Sequence, residues 1–97
     1  MAMLDELIER YDSAAILTVS PYILDSGAIL RWVVQIDGQE PPDLDVRIDQ
    51  GDPWVVMYLV RGDAELELGR WPKKQHPEGA QVSWSLGGLR RFREAHE

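Results

Sequence analysis

The sequence predicts an α+β fold with an N-terminal helix, an antiparallel sheet of about five strands and a short C-terminal helix. Three observations lead there. The start of the chain carries apolar residues at helical spacing, and its middle alternates polar and apolar residues between turn signals. The connections are also too short for the crossover helices that parallel strands require. A length of 97 residues suits one hydrophobic core, so residues 1–97 are read as a single domain.

Each element has its own local cause. Leu4, Leu7, Ile8, Tyr11 and Ala15 line one face of a helix predicted over residues 3–15, with Asp5, Glu6 and Glu9 towards its positive end. Ile16-Leu17-Thr18-Val19 is strand-like. Ser20-Pro21 then predicts an edge or a bend, because proline offers no ladder donor. After the turn Asp25-Ser26-Gly27, residues 28–36 form a strand with Leu30, Trp32, Val34 and Ile36 on its buried face. Asp37-Gly38 is a turn, and Pro41-Pro42 stiffens the loop that follows.

Residues 44–48 alternate cleanly, with Leu44, Val46 and Ile48 inward and Asp45, Arg47 and Asp49 outward. Residues 54–60 are apolar on both faces, which predicts a central strand. Arg61-Gly62-Asp63 closes a hairpin onto residues 64–70, where Leu66 and Leu68 face in and Glu65 and Glu67 face out. Residues 71–79 are irregular. Val82, Trp84 and Leu86 make the last strand, and Gly87-Gly88 leads into a helix over about residues 88–96. Leu89 and Phe92 are that helix's packing residues, while Arg90, Arg91 and Arg93 crowd its outer side. Trp32, Trp54 and Trp84 are placed inward, in the core.

Composition narrows the function classes. The chain is 44% hydrophobic, which is incompatible with disorder, and it lacks cysteine, hence disulfides, thiol nucleophiles and thiolate metal sites. No apolar run is long enough to span a bilayer. The acidic start Met1-Ala2-Met3-Leu4-Asp5-Glu6 does not read as a secretory signal, so the expected compartment is the cytoplasm. Net charge is −7, unevenly spread. Residues 1–52 hold eleven acids and three bases, a net of −8, and residues 53–97 hold six acids and seven bases, a net of +1. That field repels phosphates and attracts basic surfaces, which disfavours direct nucleic-acid binding and allows a basic protein partner.

Motifs for chemistry are absent or fail on inspection. His76 lies between prolines and His96 near the C-terminus, and neither has a second histidine at metal-ligand spacing. An EF-hand register starting at Asp43 fails at Arg47, Ile48 and Trp54. There is no Gly-x-Ser-x-Gly elbow, and Gly87-Gly88 lacks the rest of a phosphate-binding motif. Arg61-Gly62-Asp63 matches a tripeptide that integrin ligands use, but in this chain it reads as a hairpin turn. No catalytic residue, metal or cofactor is assigned.

The expected function is therefore a non-enzymatic, acidic protein-binding module. The closest class is a small inhibitor or immunity-type protein, for toxin neutralisation or phage or plasmid anti-defence. It would block a basic surface of a partner protein, a nucleic-acid-binding surface included. The residues expected to do so are Asp37, Glu40, Asp43, Asp45, Asp49 and Asp52, with Arg47 setting orientation. Trp71, beside Pro72-Lys73-Lys74, is a candidate anchor, with capping the end of the core as its structural alternative, and Tyr22 has the same two readings. A structural or self-assembling component is the second reading and a small-ligand binder or enzyme the third. The chain is expected to be a monomer or homodimer.

Overall fold

The structure is a computed structural model that describes residues 2–75 and 80–96. Helix α1 spans Ala2–Tyr11 and stops before the predicted Ala15. The reason is local. Asp12 still donates its amide to the Ile8 carbonyl at 2.8 Å, but takes a φ of 118°. Its carboxylate then accepts the Ala14 amide at 3.3 Å. Short polar side chains tolerate positive φ through such bonds. Ala15 is buried all the same, reached through the turn rather than on the helix face.

Among the described residues six strands follow. They are β1 (Ile16–Ile23), β2 (Ile29–Ile36), β3 (Asp45–Gln50), β4 (Trp54–Arg61), β5 (Ala64–Pro72) and β6 (Val82–Ser85). A 3₁₀ turn, Lys73–Gln75, precedes β6, and helix α2 (Leu86–His96) ends the fold. The strands form two three-stranded antiparallel sheets, ordered β2-β1-β6 and β3-β4-β5, instead of one sheet of about five. The Pro41-Pro42 connection carries the chain off β2 before the next hairpin begins, so β3 starts a new sheet. The last strand then returns to pair with β1.

Proline in β1 does not interrupt the strand. Strand β1 is central, yet β6 pairs only with Ile16 to Val19, so at Pro21 the sole neighbour is β2, opposite Trp32. The missing donor falls where no ladder exists to need it. Strand β4 is central in its sheet, as its two apolar faces predict.

Helix α2 starts two residues earlier than predicted and contains both glycines. Its first amides are all spoken for. Leu86 donates to the Ala15 carbonyl at 3.0 Å, Gly87 to the Ser13 carbonyl at 2.8 Å and Gly88 to the Ser85 hydroxyl at 3.0 Å. Ser85 is thus the N-cap, and these partners fill the positions an anion would take. A Cβ on Gly87 would approach the Ser13 carbonyl oxygen to 3.1 Å, so this glycine lets the α1–β1 turn lie against the helix start.

One contiguous core joins the parts. It takes Met3, Leu4 and Leu7 from α1, Leu17 and Val19 from β1, and Val34 and Ile36 from β2. Met57, Leu59, Leu66 and Leu68 come from the second sheet, and Leu86 and Leu89 from α2. Trp32, Trp71 and Trp84 pack against it while partly buried. Three predicted inward residues are not buried. Leu30 is 60% exposed because β2 runs past the end of the core, and Phe92 is 39% exposed. Trp54 is 43% exposed because its register opposite Pro72 puts it on the outer face of the second sheet.

Candidate protein-binding face

The outer face of β3-β4-β5 is where charge and exposed aromatic surface coincide. Alternation puts Val46 and Ile48 of β3 towards the core and leaves Asp45, Arg47 and Asp49 exposed on the other side. Across the ladder these residues stand opposite Val60, Tyr58 and Val56. On the far side of β4, Val60 faces Glu65, Tyr58 faces Glu67, and Val56 faces Arg70. A register shift between Met57 and Tyr58 keeps Arg70 on this face despite the intervening Leu68 and Gly69. The result is an apolar row, Trp54, Val56, Tyr58 and Val60, between two charged rows.

The charged rows interlock over the apolar one. Arg47 is ion-paired with Asp49 on its own strand and with Glu65 two strands away, and its guanidinium lies 4.5 Å from the Tyr58 ring centre. Asp49, and after it Glu65, pushes the guanidinium pKa further up from its ordinary value. Arg70 pairs with Glu67 at 2.5 Å, and that carboxylate raises its pKa likewise. Both cations on this face are therefore held by its own carboxylates. Four acids, Asp45, Asp49, Glu65 and Glu67, against the two arginines leave the face net acidic.

The remaining candidate residues lie elsewhere. Asp37 belongs to the β2–β3 connection, where its carboxylate accepts the Ile16 amide at 2.9 Å. Glu40 pairs with Arg31 at 3.1 Å, and Asp43 lies 3.9 Å from Arg10 of α1. Asp52 sits exposed in the β3–β4 turn. Trp71 pairs with Val55, whose side chain is buried, so it lies on the core side of the sheet, opposite to Asp45 and Asp49. There it walls a groove of about 730 Å³ between β5 and α2, together with Leu68, Trp84, Leu89, Phe92 and Arg93.

Sequence reasoning brought Asp45, Arg47 and Asp49 to one face and missed the rows beside them. Glu65 and Glu67 were legible as outward residues, but not as neighbours of β3. The apolar row of β4 was hidden by the inward placement of Trp54. His76 lies outside the described residues, as does the side chain of His96. Among the described residues no three acidic or histidine side chains converge as a metal-binding group, and no helix is long and apolar enough to cross a membrane. No family model, curated protein or solved structure matches this chain.

Proposed function

We propose that this protein is a non-enzymatic binding module that presents the outer face of β3-β4-β5 to a basic surface of a partner protein, in the manner of a small inhibitor or immunity protein. The observation that carries the reading is the apolar row Trp54-Val56-Tyr58-Val60 set between acidic rows on a solvent-facing sheet. An apolar, aromatic centre with a charged rim is the usual anatomy of a protein–protein contact, and Trp, Tyr and Arg are its usual anchors. The acidic excess supplies steering towards cationic partners and away from nucleic acid. On this reading Asp45 and Asp49 meet the partner's cations, Trp54 is the anchor and Arg47 fixes orientation.

The test is a pull-down from host lysate with the tagged full chain at low and high salt, alongside the double variant Asp45→Lys/Asp49→Lys. The wild type should hold one stoichiometric partner that high salt releases. The variant should lose it while unfolding within about 1 kcal/mol of wild type, as exposed positions normally do. A partner held equally by both proteins would refute the assignment of this face.

A further inference from the structure

The β1–β2 hairpin carries a second surface of opposite character. Tyr22, Ile23, Leu24, Ile29 and Leu30 are each between 39% and 60% exposed, and all lie at one end of this hairpin. Ile23 stands opposite Ile29, and Leu24 bonds Ala28 across the turn at 2.9 Å, so the five residues cluster at the hairpin end, with Ile29 and Leu30 alternating to its two faces. Beside it, β2 is an edge strand with β1 on one side; on the other, Gln39 bonds Ile36 at its far end, and no strand pairs with the residues next to the hairpin turn among the described residues. An apolar edge strand with free amides and carbonyls is a template for another strand.

We infer that a second copy of this chain occupies this surface, forming a two-fold dimer whose axis passes near Leu30, so that the first residues of the two β2 edges pair antiparallel and the hairpin ends lie side by side. Charge selects the occupant. Residues 13–36 contain only two charged side chains, Asp25 and Arg31, a net of zero in a chain of −7. Arg31 is moreover held by Glu40. Two copies repel each other over most of their surface and meet without that cost at the hairpin. A basic partner, which would suit the acidic face, gains no charge attraction at a neutral end.

Area agrees. Five side chains of this size, about half exposed, leave roughly 450 Å² of apolar surface on the two faces of the hairpin end, both of which flank the paired edges and together reach the scale that marks interaction sites. A stable dimer takes about 800 Å² from each partner, of which about 56–65% is apolar, so roughly 450–520 Å² is needed. Antiparallel pairing of β2 with itself is also what a two-fold axis demands, because each residue then meets its own counterpart's surroundings.

The measurement is sedimentation velocity of the full chain across the micromolar range. A species of twice the 11.1 kDa chain mass is expected, with amides of the β2 edge gaining hydrogen-exchange protection as concentration rises. Leu30→Lys should weaken the dimer by roughly 30-fold or more, as loss of an interface hot spot does, and should leave the thermal transition of the monomer in place. Raised salt should tighten the dimer by screening the repulsion, the reverse of its expected effect at the acidic face. A monomer at every concentration overturns the inference and leaves the hairpin to a different partner. So does a dimer indifferent to both Leu30→Lys and Ile23→Lys.

Discussion

At the scale of single residues, Asp37 shows how a candidate contact residue can be occupied inside the fold. Asp37 and Gly38 take φ values of 50° and 82°, the two positive angles of a tight hairpin turn, with Ile36 and Gln39 bonded across it at 2.8 and 3.1 Å. Asp-Gly is the favoured pair for that turn. The Asp37 amide donates to the Ile16 carbonyl at 3.0 Å, and its carboxylate accepts from the Ile16 amide. One residue thereby ties the end of β2 to the start of β1. Asp37→Ala should cost about 1–2 kcal/mol, from a lost acceptor and a Cβ at positive φ without local bonding. Urea denaturation should show a lower midpoint with an unchanged slope. An unaltered midpoint would mean that the turn holds without the side chain.

Between elements, exposed ion pairs join what the hydrophobic core has already brought close. Arg90 of α2 pairs with Asp5 of α1, and Arg61 of β4 pairs with Glu6 on the same helix. The Arg90 hydrogen bond holds the Asp5 carboxyl below the ordinary aspartate value. A carboxyl whose folded pKa is depressed adds stability above its unfolded pKa and loses it as pH falls through the folded value. The α1–α2 pair therefore contributes at neutral pH and fades below about pH 4. Solvent screening keeps the contribution small. Denaturation midpoints of wild type and Asp5→Asn should differ most near neutrality and converge in acid. A constant gap across that range would place the effect of the substitution outside this titration.

For the whole molecule, both sheets share one core, so damage to one should be felt by the other. Leu59 sits fully buried in the middle of β4, between Val46 and Leu66, within the cluster that also holds Leu17 and Ile36 of the first sheet. Leu59→Ala should destabilise by about 2–5 kcal/mol. Tryptophans report on both sheets, Trp32 and Trp84 in the first and Trp54 and Trp71 in the second. Single-tryptophan variants carrying Leu59→Ala should therefore unfold with one shifted midpoint. A first sheet that kept the wild-type midpoint would show that the sheets melt separately.

Much of this was readable in the chain. The spacing of Leu4, Leu7, Ile8 and Tyr11, the alternation of Val46 with Arg47, and the pairs Asp37-Gly38 and Gly62-Asp63 each depend on neighbours a few residues away. Periodicity alone therefore places them. For the same reason Asp45, Arg47 and Asp49 were legible as one outward row. The tertiary structure decided what covers each row. Leu30 follows the same alternation as Val34, yet one lies bare and the other in the core, because the core reaches along β2 only to Trp32, which packs against it partly buried. Trp54 opens a strand apolar on both faces, so only its register against β5 says which face it joins. The split into two sheets, the meeting of Arg47 with Glu65 and the exposure of the apolar end of the β1–β2 hairpin have the same origin. A side chain's direction is a local property of the backbone, whereas its burial depends on segments that folding brings from elsewhere in the chain.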